Sequence, residues 1–172
     1  PIIADYVAKN LDIGENAVVV SPDVGGVNRA RALAEVLGTP LAIVVKRRPE
    51  PNKCEVMEVI GDVKGKTAFM IDDMIDTGGS IINGAMALLD LGAKEVYAGC
   101  THGILSGGAP EKLITSPIKK VIITDTIPLP GGKTDGKIEI VSVSSLIADA
   151  IRRIHSEASV SEIFSKHWKG QS

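Results

Sequence analysis

Residues 72–80 read Asp72-Asp73-Met74-Ile75-Asp76-Thr77-Gly78-Gly79-Ser80, a run that sets carboxylates, hydroxyls and paired glycines side by side. Gly78 and Gly79 let the backbone turn tightly and approach a ligand. Thr77 and Ser80 supply hydroxyls, and a helix starting at Ser80 aims its unpaired N–H groups and positive dipole end into the same loop. Together these parts make an anion cradle, best suited to a phosphate. The adjacent acids Asp72 and Asp73 cannot favour that phosphate, so they need other partners: sugar hydroxyls, from which carboxylates accept, or a divalent cation. A phosphorylated sugar satisfies both halves of the loop.

Two further segments carry charge suited to the same chemistry. Ser21-Pro22-Asp23-Val24-Gly25-Gly26 follows the apolar run 17–20 and precedes apolar residues at helical spacing, Val27, Ala30, Leu33, Ala34 and Leu37. Proline and two glycines imply a loop with special backbone angles, whose amides can line an anion. Asp23 sits too near such an anion to be there without a cation. Lys46-Arg47-Arg48 leaves the apolar run 41–45 and meets Pro49 and Pro51, which forbid a helix and imply a mobile arm. In an extended arm Lys46 and Arg48 point the same way. Phosphoryl transfer asks a protein mainly for such positive charge around the transferring group. His102 ends the apolar run 96–101, where it either contacts substrate or structures the glycine-rich loop that follows.

These segments need a frame that brings them to one edge. Apolar runs at 17–20, 41–45, 67–71, 96–101, 121–124 and 138–143 alternate with helical patterns. That alternation predicts an α/β fold, an open twisted, mostly parallel sheet flanked by helices, with ligands in the crevice beyond the strand ends. Residues 55–60 alternate weakly and 61–65 read as a turn, which predicts a hairpin with the strand at 67–71. Residues 61–67 approach a phosphate-binding loop in pattern, but they are one residue short and precede a strand instead of following one. Helices are expected over 2–11 and 81–91, the second burying Ile82, Ala85, Met86 and Leu89 and stopping at Gly92. Leu146, Ile147, Ala150, Ile151 and Ile154 mark a last helix. The domain is expected to span 1–165, with 166–172 a polar tail.

The chain has 172 residues, enough for one domain with a sizeable core, and is 44% hydrophobic but only 3% aromatic, so that core is aliphatic. A net charge of -2 gives no electrostatic case for nucleic acid or a membrane as partner. No apolar run approaches the ~18 residues of a membrane span. Cys54 and Cys100 lack metal-ligand spacing, and a reducing cytoplasm suits them.

The loop 72–80 resembles the ribose 5-phosphate loop of type I phosphoribosyltransferase folds, in the version used by ribose-phosphate diphosphokinases. The loop 21–26 resembles that family's pyrophosphate loop, Lys46-Arg47-Arg48 its catalytic flexible loop, and Ser159-Val160-Ser161 with Phe164 part of its allosteric phosphate and ADP site at a subunit interface. The resemblance implies transfer of the β,γ-diphosphoryl group of Mg-ATP to the 1-hydroxyl of ribose 5-phosphate. It implies that Asp72 and Asp73 hold the ribose hydroxyls and that Asp76, Thr77, Gly78, Gly79 and Ser80 hold the 5-phosphate. Lys46 and Arg48 then stabilise the transferring group, Asp23 holds Mg²⁺, and Gly25 and Gly26 make room for the diphosphate. Residues 101–107 resemble the family too, although Gly103 stands where proline often follows the histidine. The family's chain is about twice as long and oligomeric, as dimers built into hexamers. By that likeness this chain is the carboxyl-terminal lobe, an incomplete catalytic unit. A phosphoribosyltransferase that consumes phosphoribosyl diphosphate, and a non-catalytic regulatory relative, are the alternatives; the intact Lys46 and Arg48 weigh against both.

Overall fold

The computed structural model describes residues 1–11, 16–47, 56–129 and 135–168. Its centre is a run of strands buried on both faces. Along β1 (Ala17–Ser21) every residue is buried, because Val18 and Val20 point to one side of the sheet and Val19 to the other. β4 (Thr67–Ile75) behaves alike: Ala68 and Met70 join the first side, Phe69 and Ile71 the second. Such two-sided burial turns a parallel strand into a continuous apolar run.

The sheet has seven strands in the order β3-β2-β1-β4-β5-β6-β7. The others are β2 (Leu41–Arg47), β3 (Val56–Ile60), β5 (Glu95–Gly103), β6 (Val121–Thr124) and β7 (Ile138–Val141). All pairings are parallel except that of β3 with β2. Helices α1 (Ile2–Asn10) and α2 (Val27–Leu37) cover one face through Val7, Ala30 and Leu33; α3 (Gly79–Asp90) and α4 (Ala109–Thr115) cover the other through Ala85, Leu88 and Leu113. α5 (Ser144–His155) and α6 (Ser161–Trp168) follow β7. α6 thus carries helix into the expected polar tail as far as Trp168.

The mostly parallel sheet matches the expectation, and the hairpin requires a correction. β3 does not pair with β4; it runs antiparallel to β2, with Ile43 opposite Ile60 and Lys46 opposite Met57. Burial explains the choice. β4 is apolar on both faces and takes an interior place between β1 and β5, whereas β3 alternates between half-buried and exposed residues and suits an edge.

The strand order reverses direction beside β1: the chain steps from β1 outward to β2, and from β4 outward the other way to β5. The crevice at such a switch point is where open α/β sheets bind ligands. β1 delivers residues 21–26 there and β4 delivers 72–80.

Candidate functional site

The first loop is held by its own short side chains. Ser21, fully buried, donates its hydroxyl to the Asp23 carbonyl at 2.7 Å, and Asp23 Oδ1 accepts the Gly26 backbone N–H at 2.8 Å. The special backbone angles expected of the glycine pair are absent: Gly26 has φ −82° and ψ −2°, and Gly25 is not among the residues with positive φ. Space, not angle, is the requirement. A Cβ on Gly26 would lie 2.9 Å from Ser21 Oγ and 3.2 Å from Arg29 Nη1.

The second loop does need an unusual angle. Gly78, at φ 78°, turns the chain into α3 as its N-cap. Glycine has no side chain to cap a helix, so the first turn of α3 presents its N–H groups and positive dipole end to the loop. One open cleft of about 190 Å³ joins the two loops, lined by Pro22 and Asp23 from the first and by Asp72 and residues 74–81 from the second. The loop after β5 braces this cradle from below. Leu105 donates its backbone N–H to the Ile75 carbonyl at 3.1 Å, and Ser106 Oγ donates to Asp76 Oδ1 at 2.5 Å.

The two acids at the end of β4 divide their roles. Asp72 lines the cleft and Asp73 does not. Both are gripped from behind by Arg29 of α2, whose Nη1 reaches Asp72 Oδ1 at 3.0 Å and whose Nη2 reaches Asp73 Oδ2 at 2.9 Å. Burial pushes the Asp72 carboxyl above the ordinary carboxylate range; the charge of Asp73 adds to the rise, while the Asp73 N–H and Arg29 oppose it. For Asp73, desolvation is the largest single influence and pushes upward, but Arg29 together with hydrogen bonds from Asp72 and the Met74 N–H outweighs it, and the carboxyl lies below its ordinary value.

Cleft geometry thus brings together Asp23, Asp72, Asp76, Thr77, Gly78, Gly79 and Ser80, with Gly25 and Gly26 in the first loop. Lys46 lies near the end of β2, paired with Met57. Arg48 lies outside the described residues. His102 is not on the cleft: its Nδ1 meets Thr126 Oγ1 at 2.9 Å, and its backbone bridges to Asp125, so it ties β5 to the segment after β6. Ser159 and Val160 precede α6 and Ser161 opens it; there Arg153 Nη1 donates to the Ser159 carbonyl at 2.8 Å and pairs with Glu162 at 3.0 Å. Phe164 is 46% exposed and lines a separate apolar cavity with Leu33, Val36 and Arg29.

Sequence reasoning missed Arg29 and Ser106. A signal for Arg29 existed, since a cation in the first turn of a helix opposes the helix dipole unless a carboxylate compensates it. For Ser106 the signal is only its place in the 101–107 resemblance, because its partner is 30 residues away in sequence.

Comparison with known proteins gives a consistent picture. Residues 45–165 match the family described as phosphoribosyl synthetase-associated domain. A ribose-phosphate pyrophosphokinase of Clostridium acetobutylicum is 55% identical over 164 residues, covering 95% of this chain and 51% of that protein. One from Aquifex aeolicus is 52% identical, covering 95% and 52%. The crystal structure of phosphoribosylpyrophosphate synthetase from Mycobacterium smegmatis superposes with a TM-score of 0.81 at 38% identity, covering 91% of this chain and 50% of that one. An orotate phosphoribosyltransferase from Aeropyrum pernix, at TM-score 0.52 and 23% identity, shares the fold. The chain spans about half the length of the curated relatives it matches.

Proposed function

The chain belongs to the phosphoribosyl synthetase-associated domain family, and from that premise we propose that its cleft is the ribose 5-phosphate site of a ribose-phosphate diphosphokinase. The observation that carries this reading is the meeting of the glycine-capped N-terminus of α3, Gly78 to Ser80, with the Asp72 carboxylate in one cleft. The helix end takes the 5-phosphate with Thr77 and Ser80. Asp72 accepts hydrogen bonds from the ribose hydroxyls, and Asp73 supports it through the Arg29 guanidinium that both acids share.

Across the cleft, the loop 21–26 takes the diphosphoryl group. The 1-hydroxyl oxygen attacks the β-phosphorus of ATP, the bridge from that phosphorus to the α-phosphate breaks, AMP leaves, and the hydroxyl proton passes to solvent. Lys46 and Arg48 supply positive charge to the transferring group. Magnesium keeps several waters and substrate oxygens as ligands and asks a protein for one or two carboxylates. An exposed carboxylate fixed through Oδ1, as in Asp23, fits that demand. When bound, the ion would neutralise phosphate charge.

Two observations support reading the chain as one lobe of a larger catalytic unit. It spans half the length of its relatives. On α5, Ile147, Ile151 and Ile154 form an apolar stripe that is 51–67% exposed, and no residue of that helix is buried. The remaining half of the relatives is the occupant that stripe fits, with homo-oligomers built from the complete units. The setting is cytoplasmic, where ATP and ribose 5-phosphate are found together.

A phosphorus NMR time course of the chain with Mg-ATP and ribose 5-phosphate tests the reading. Expected are binding of ribose 5-phosphate and little or no AMP, with AMP and phosphoribosyl diphosphate appearing together once the other half is added. Absence of ribose 5-phosphate binding would contradict it.

A further inference from the structure

We infer that Arg29 is a positioning residue that makes the cleft selective for a sugar phosphate carrying its ring hydroxyls, by fixing which oxygen of Asp72 faces the ligand. The inference rests on the ribose 5-phosphate reading of the cleft and adds a residue to it. Asp72 Oδ1 accepts twice from the protein, from Arg29 Nη1 at 3.0 Å and from the Asp73 N–H at 2.8 Å. Both bonds fall on Oδ1, so Oδ2, which otherwise meets the Asp73 carboxyl, is the oxygen assigned to a ligand hydroxyl. Arg29 itself is not on the cleft; it lies on the wall of the apolar cavity on the α1 and α2 side of the sheet, so it reaches the ligand only through Asp72.

The same guanidinium spans both acids with its two terminal nitrogens. Without it, two adjacent carboxylates would repel one another and swing apart, since a fork of parallel donors is what matches two acceptors in fixed geometry. Arg29 also sits against Gly26, 3.2 Å from where a Cβ would be. It therefore ties the first loop, through α2, to the acids of the second. The phosphate end of the ligand is held elsewhere, by the α3 N-terminus and Thr77, so a defect at Arg29 should touch the hydroxyl end alone.

Calorimetric titration of the chain with ribose 5-phosphate, 2-deoxyribose 5-phosphate and inorganic phosphate separates the two ends. A site built to bind a hydroxyl rejects the analogue that lacks it. The unaltered chain is expected to prefer ribose 5-phosphate over the deoxy sugar by about tenfold, as loss of one charged hydrogen bond implies. Arg29→Gln is expected to bring that ratio to within about twofold while inorganic phosphate binds as before, and Arg29→Lys to restore part of it. Unchanged phosphate binding also shows that the variant is folded. A ratio unchanged in Arg29→Gln, or equal loss for all three probes in both variants, would overturn the inference and leave the ribose 5-phosphate reading standing. Failure of the unaltered chain to bind ribose 5-phosphate would overturn both.

Discussion

Asp23 accepts the backbone N–H of Gly26 at 2.8 Å, so the acid offered to the cleft also fixes the first turn of α2. Gly26 has no room for a side chain, since a Cβ would meet the buried Ser21 hydroxyl at 2.9 Å. Gly26→Ala should therefore destabilise the chain by about 1–3 kcal/mol through overpacking, without backbone strain. Urea denaturation measures it. A change within about 0.5 kcal/mol would mean that the loop absorbs the methyl group.

Ser106 holds Asp76 from outside the cradle. Ser106→Ala should cost about 1 kcal/mol of stability or less, the net value of one exposed hydrogen bond. Ribose 5-phosphate affinity should fall several-fold, because a freed Asp76 carboxylate can approach the phosphate. Titration calorimetry reads the affinity, and an unchanged value would remove Ser106 from the site.

The raised Asp72 carboxyl sets a pH limit on binding. A ligand hydroxyl is held by the ionised form, so affinity should weaken as pH falls through that raised value, beginning above the ordinary carboxylate range of about 4. Ribose 5-phosphate loses charge on its own near pH ~6. Asp72→Asn separates the two effects: it should bind more weakly at neutral pH and keep only the ligand's step. Identical pH profiles would show that Asp72 does not contact the sugar.

Much of this architecture was legible in the chain, and the failures have physical causes. The strands announced themselves because two-sided burial makes runs such as Ala17–Ser21 apolar throughout. Glycine and acid types make 72–80 legible as a strand-to-helix junction, but the strand runs on to Ile75 and the turn is confined to 76–78, because Asp72, Met74 and Ile75 still pair with β5. The expected face of α3 holds in part: Ala85 is buried and Ile82 and Leu89 pack against the core, but Met86 is 50% exposed and the most buried positions are Ile81, Gly84, Ala85 and Leu88. Gly84 hid the true period. It packs so closely on β4 that a Cβ there would lie 2.6 Å from Met70 Cε, yet it counts for nothing in a hydrophobic pattern. The place of β3 depended on which neighbour is left an edge, a property of the whole sheet. The stripe of α5 is legible as helix, but periodicity does not say what covers it.

Cys100 offers a check on the core. It is fully buried on β5, and burial pushes its thiol up to about 12, with Asp72 and Asp73 adding to the rise. Only the thiolate reacts with electrophiles. In a Cys54→Ser background, labelling of Cys100 at pH 8 should be slow and should accelerate only on unfolding. Rapid labelling of the native chain would place β5 nearer the surface than the structure does.

The central claim is that one cleft, built from the ends of β1 and β4, is the sugar phosphate site. A two-dimensional amide NMR titration of the chain with ribose 5-phosphate addresses it most directly. The account predicts the largest shifts at the backbone N–H groups of Gly78, Gly79 and Ser80, with smaller ones at Asp72, Asp73 and Gly26. Shifts confined to the apolar cavity around Leu33, Val36 and Phe164, or no shifts at saturating ligand, would contradict it.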